Sequence, residues 1–190
     1  VRLIEDVGER EELAQLNARA ARLARALTAY EASLEYAEHA VKLMRGISAA
    51  REPSRRRDLF ALLADAQASA GYLEAAIATF EQALELSQTD DERVQLLERL
   101  CDALQTSGRP VEALVQVQRA LAMLGHALNL PGAHDQAAQA SLKLEQDRLF
   151  ATLASESALH SLVQLDAADE SAARLGRLYD KAVIGVYFSR

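Results

Sequence analysis

Aromatic residues make up only 5% of this 190-residue chain, which has no tryptophan, three prolines, eight glycines and one cysteine. Each scarcity excludes something. A lone cysteine, Cys101, cannot form an internal disulfide, and it fits a reducing compartment such as the cytoplasm. Few prolines and glycines leave long uninterrupted stretches. With half the residues hydrophobic, and most of those Ala or Leu, this is the composition of packed helices rather than of a sheet. No apolar run is long enough to span a bilayer, and no stretch reads as a signal peptide. The glycines are scattered, so neither G-x-x-x-x-G-K-[ST] nor G-x-G-x-x-G occurs and no recognised loop cradles a nucleotide. The expectation is an all-α protein, about three-quarters helical, against the roughly one-third typical of globular chains.

Charge is unevenly spread. Residues 1–57 carry 11 basic and 9 acidic side chains, residues 58–128 carry 4 and 11, and residues 129–190 carry 6 and 8. The acidic middle argues against nucleic acid or an anionic membrane as a ligand. Val1 stands where a complete chain would begin with Met, as expected of a fragment of a longer protein.

Catalytic constellations are missing as well. His39, His126, His134 and His160 are dispersed, which is not metal-ligand spacing, and surface histidines account for them. Glu74, Glu81, Glu85, Glu98 and Asp102 have no companion nucleophile or base, so acid–base catalysis has no support and solvated helix faces explain most of them. No enzyme activity, cofactor or metal is expected. "REPSRRRD" concentrates Arg51, Arg55, Arg56 and Arg57 where a helix should begin, which is electrostatically awkward. It implies either a partnering acid or an exposed linker, with Asp58 and Glu52 at hand.

What the chain does have is an internal repeat. "GYLEAAIATFEQALEL" from Gly71 returns thirty-seven positions later as "GRPVEALVQVQRALAM" from Gly108. In a 34-residue frame opened at Arg57, Phe60, Leu63, Ala64, Ala76, Phe80 and Ala83 hold positions 4, 7, 8, 20, 24 and 27. A second frame opened at Val94 puts Leu97, Leu100, Cys101, Ala113, Val117 and Ala120 there. Small residues at 8, 20 and 27 let two helix axes approach closely; Cys101 occupies such a slot, so packing explains it before reactivity does. Gly71 and Gly108 fall where a helix ends in left-handed backbone. Pro110 suits the start of the next helix, Thr89-Asp-Asp-Glu92 reads as a capping box, and Pro53-Ser54 as a cap for a helix from about Arg55.

This pattern resembles the tetratricopeptide repeat, a helix-turn-helix unit that stacks into a right-handed superhelix. Upstream, "LNARAARLARALTAYEASLEYAEHAVKLM" gives helices near 9–27 and 30–45, with Ser33 and Ala40 at positions 20 and 27 but Thr28 in place of the turn glycine, a degraded third unit. Downstream, "GHALNLPG" is a loop. Helices are expected near 134–154 (Leu142, Leu149 and Leu153 on one face), 156–164 and 168–185, the last capped by Asp166 or Asp169, followed by an apolar patch at 183–188. The organisation expected is therefore 1–56 degraded pair and linker, 57–128 two repeats, and 129–190 helical extension. More widely, the first Ala-rich helix pair, "ALAMLGHALNLPG" and "LYDKAVIGVYFS" resemble the helical region behind the ATPase core of bacterial multidomain signal-transduction ATPases. Those proteins are fused to kinase, cyclase or DNA-binding domains, and the likeness would place any nucleotide site upstream of Val1.

The repeat resemblance implies a concave groove lined by positions 2, 5, 9, 12 and 13 of each first helix. Here they are Asp58, Ala61, Asp65, Ala68 and Ser69, then Gln95, Glu98, Asp102, Gln105 and Thr106. Four acids and no base face that groove, and the Lys/Asn clamp for a peptide carboxylate found in some such proteins is missing. A bound basic or polar protein segment, from another protein or from the same parent chain, is one reading; an acidic face that keeps the chain soluble is the other. Function is accordingly expected to be noncatalytic protein interaction or sensing in a bacterial signalling or regulatory protein. The alternative is a free-standing adaptor or chaperone, and a homodimer through 183–188 would make the chain a scaffold. Neither nucleic acid nor membrane is expected as a partner.

Overall fold

Alanine-rich segments punctuated by short turns give helices throughout the described residues, which are 6–44, 53–126, 144 and 173–182 of a computed structural model. Six helices follow in order: α1 (Val7–Ala26), α2 (Tyr30–Leu43), α3 (Pro53–Ser69), α4 (Leu73–Glu85), α5 (Asp90–Thr106) and α6 (Pro110–Met123). Residues 173–182 are helical too, and no strand occurs among the described residues. The all-α expectation holds. The chain divides into two compact units, Val1–Ser107 and Gly108–Arg190. In the first unit α1 packs on α2 and α3 on α4, α2 touches α3 and α4 touches α5, and the first helices α1, α3 and α5 also meet in succession.

One turn geometry is used repeatedly. Gly71, Gly108 and Gly125 have φ of 87°, 76° and 81°, the left-handed region expected of a glycine after a helix. Thr28 adopts the same conformation, φ 59°, without being glycine. Hydrogen bonds match as well. After α1, the Thr28 amide donates to the Arg25 carbonyl (2.9 Å) and the Ala29 amide to that of Ala24 (2.9 Å). After α3, Gly71 donates to Ala68 (3.1 Å) and Tyr72 to Gln67 (2.8 Å); after α6, Gly125 donates to Ala122 (3.1 Å) and His126 to Leu121 (2.8 Å). The residue after each hairpin turn is also alike, with ψ of 69° at Ala29, 62° at Tyr72 and 57° at Arg109. Thr28, Gly71 and Gly108 are therefore equivalent positions.

Aligning on those turns places Ala21, Ser33 and Ala40 opposite Ala64, Ala76 and Ala83, and all six are fully buried. Close approach is visible in the first hairpin, where the Ser33 hydroxyl donates to the Ala21 backbone carbonyl at 2.9 Å. A larger residue at either place would push α1 and α2 apart. What fills the space differs. The first hairpin's Ala14, Ala18, Ala21, Ala37, Ala40 and Met44 form one buried cluster with Leu59, Leu62, Leu63 and Ala66 of α3, while the second hairpin also buries Ile77 and Phe80 on α4. α5 buries Val94, Leu96, Leu97, Leu100, Cys101, Ala103 and Leu104. In the second unit α6 carries Pro110 in its first turn and buries Ala113, Leu114, Val117, Ala120 and Leu121, while Leu178, Tyr179 and Ala182 are buried on the helix at 173–182.

Several helix ends follow from local chemistry. The Thr89 hydroxyl accepts the Glu92 amide (3.3 Å), and the Glu92 carboxylate accepts the amides of Gln88 (2.8 Å) and Thr89 (3.2 Å), so the expected capping box is present. Asp6 caps α1 by accepting the Glu9 amide at 2.8 Å. Ser54, expected as a cap, instead lies inside α3, because Pro53 is tolerated in a first turn. Phe60, expected as core, is only half-buried. The helix expected at 134–154 is described only at Leu144, which is helical; the helix expected at 156–164, the caps at Asp166 or Asp169 and the patch at 183–188 lie outside the described residues.

Candidate functional site

Because α1, α3 and α5 lie side by side in the first unit, the residues on their shared face are brought together although they are far apart in sequence. A cleft of about 200 Å³ opens there, with Phe80 and Ala103 in its lining as apolar groups and Asp65, Ser69, Asp102 and Thr106 as polar ones. Those four are half of the eight groove residues singled out from the sequence. Asp58 sits farther along the same face of α3. Gln95, Glu98 and Gln105 are on α5 outside the cleft lining; the Gln95 amide donates to Asp91 at 2.9 Å. Ala61, the remaining groove position of α3 besides Ala68, is buried.

A groove of acids without bases, as α3 and α5 alone implied, does not form. Arg25 from the last turn of α1 and Arg99 from α5 also line the cleft, and both reach the Asp65 carboxylate, at 2.9 Å and 3.4 Å. Asp65 is 17% exposed, so solvent screens this three-helix bridge less than it would a surface pair. Asp102 stays exposed beside it, and the Thr106 hydroxyl donates to the Asp102 backbone carbonyl at 2.7 Å. The cleft therefore offers both signs of charge, hydroxyls and an apolar base within one concavity. Such a surface can hold a polar segment by side-chain contacts.

Arg25 had a sequence signal. Counting back from the turn at Thr28 as Asp58, Ala61, Asp65 and Ala68 count back from Gly71 gives Gln15, Ala18, Arg22 and Arg25. These are groove positions of the first hairpin, and they follow from the frame that puts Thr28 at the turn and Ser33 and Ala40 at positions 20 and 27. Arg99 does not follow this way, because it is not at a groove position of its frame and reaches Asp65 along the side of α5.

Of the basic run at the start of α3, Arg55 and Arg57 have partnering acids, and Arg51 and Glu52 lie outside the described residues. Arg55 meets Glu11 of α1 at 3.1 Å, and Arg57, largely buried, meets Asp58 at 2.7 Å and Glu92 of α5. Burial works against the Arg57 charge, but its bonds to Glu92 and Asp58 prevail and raise its pKa. The Arg57 guanidinium, aided by the Gln88 amide, lowers Glu92 from 4.5 to about 2. These pairs tie the shared face together at its other end. Arg10 adds a further tie, its guanidinium donating to the Leu43 carbonyl at the end of α2 (2.7 Å).

Among the described residues no group of three or more His, Cys, Asp or Glu side chains could hold a metal ion, and no helix is long and apolar enough to cross a membrane. Cys101 forms no disulfide and is buried in the packing of α5, and His39 and His126 are exposed. No family model matches the chain and no curated protein matches it, so the geometry carries the functional reading.

Proposed function

We propose that this chain is a noncatalytic protein-interaction or sensing module, a tetratricopeptide-like superhelix whose concave face is the face shared by α1, α3 and α5. The cleft that joins Asp65, Ser69, Asp102 and Thr106 to Arg25 and Arg99 carries the proposal. Its ligand is a polar protein segment, with basic groups meeting the exposed carboxylate of Asp102. That segment belongs to a partner or to another domain of one parent chain, and docking shifts the parent between two states through its difference in affinity for them. The sequence likeness to the helical region of signal-transduction ATPases supports a bacterial signalling or regulatory parent, working in the cytoplasm.

Panning a random dodecapeptide library against the immobilised protein tests the groove directly. Ser69→Trp fills the cleft from a half-buried position outside the core. Selected peptides should bind the wild type and lose binding to Ser69→Trp, with thermal unfolding unchanged. Peptides that bind both equally would overturn the groove reading. An immunoblot of source cells with an antibody to this chain separates the parents: a band several times larger supports a multidomain regulator, and a band of this chain's own size supports a free-standing adaptor.

A further inference from the structure

Beside the cleft, on the same face, α1 and α3 enclose a second concavity of about 230 Å³. Its floor is Ala18 and Leu59, and its walls carry Arg19, Arg22 and Arg55, with Asp58 the one acid in the lining. Asp58 is already engaged by Arg57, and Arg55 by Glu11. Arg19 and Arg22 are exposed and, among the described residues, neither has an ion-pair partner. They stand three apart on α1, which brings their side chains to the same side of the helix, within about 6 Å at Cβ. Alanine beneath them leaves depth for a ligand and an apolar floor that strengthens charge interactions.

We propose that this pocket binds a pair of neighbouring carboxylates in an acidic peptide segment. The inference rests on the groove reading above and gives the groove a direction. Groove positions are basic in the first hairpin, Arg22 and Arg25, and acidic in α3 and α5, Asp58, Asp65, Glu98 and Asp102. Asp58 and Asp65 lie seven residues apart on α3, about 10 Å along the helix. An extended peptide covers that distance in about three residues. The ligand is thus acidic over α1 and α3, then polar or basic about three residues later, over the cleft. A nucleic-acid backbone fits less well, because its continuous negative charge would run onto Asp65 and Asp102 in a chain of net charge -7.

Library panning against wild type, Arg19→Ala/Arg22→Ala and Ser69→Trp distinguishes the possibilities. Both arginines are exposed, and an unchanged melting curve verifies that the double variant is folded. Wild-type selections should be enriched in adjacent Asp and Glu, and the arginine variant should lose that enrichment. A representative fluorescein-labelled peptide should bind the variant about tenfold or more weakly, as expected for losing charge-assisted hydrogen bonds. Wild-type selections without acidic pairs, or affinity unchanged in the arginine variant while Ser69→Trp abolishes binding, would overturn the pocket and leave the groove standing. Failure to select any peptide would overturn both. A twelve-nucleotide oligothymidylate that binds as tightly as the peptide, and is lost in the arginine variant, would replace the peptide with nucleic acid.

Discussion

The first and second hairpins put nearly the same backbone to use with different side chains. Both end their first helix in left-handed geometry with the same pair of hydrogen bonds, and both bury small residues where their helices face each other. The second hairpin buries Phe80 on α4 and packs Leu59, Leu62 and Leu63 of α3 against the alanines of the first. The first buries mainly alanines and leaves Leu16 and Leu23 exposed on α1 and Leu27 exposed just after it. Backbone punctuation and small residues at the crossing therefore set the hairpin, while bulky core residues set how much stability it gains. The charged faces differ too, with Arg22 and Arg25 in the first hairpin standing where Asp65 and Ala68 stand in the second.

Substitutions that exchange features between the hairpins test this. The largest effect is expected at Phe80, which is 1% exposed. Phe80→Ala should cost about 3–5 kcal/mol in denaturant unfolding, and a shifted midpoint of well under 1 kcal/mol would show that the second hairpin is not held by that side chain. Ala76→Leu should cost about 1–3 kcal/mol by overpacking, and Ser33→Leu in the first hairpin at least as much, since it also removes the bond to the Ala21 carbonyl. Equal tolerance of Leu at both sites would mean the helices do not approach closely there.

A smaller, two-directional test concerns the turns. Gly71→Thr should destabilise by about 1 kcal/mol, a cost of backbone conformation alone, since the space around a Cβ there is open. Thr28→Gly should be neutral or slightly stabilising, because relief of the left-handed strain outweighs or offsets the entropy of glycine. A stabilising Gly71→Thr or a clearly destabilising Thr28→Gly would contradict the equivalence of the two turns.

The smallest effect separates the two ties at the start of α3. Glu92 is held below its ordinary pKa by Arg57, so its contribution to stability is complete above about pH 4.5 and is lost as pH falls toward about 2. Unfolding free energy should therefore rise with pH across that window, and Glu92→Gln should flatten the rise. An unchanged slope in the variant would mean that the Arg57–Glu92 pair does not form in solution.

Much of this architecture was legible because helix punctuation is local. Gly71, Gly108, Pro110 and the Thr89–Glu92 box announce helix ends through backbone geometry, and small residues in register announce close packing. The first hairpin's register was legible from Ser33 and Ala40 although no propensity predicts the left-handed conformation of Thr28, but groove positions were counted only in the two glycine-punctuated frames, so Arg22 and Arg25 went unread. Arg99 was concealed differently, because a long side chain reaching Asp65 across two helices depends on packing rather than on spacing. Ser54 shows the converse: a good capping residue was absorbed into α3 because Pro53 starts that helix.

The most direct test of the shared face as the binding face is amide chemical-shift mapping with a library-selected peptide. Perturbations should concentrate at Arg22, Arg25, Asp65, Ser69, Asp102 and Thr106, on α1, α3 and α5. Perturbations concentrated instead on the outer surfaces of α2 and α4, for example at Tyr36, His39 and Glu81, would contradict it.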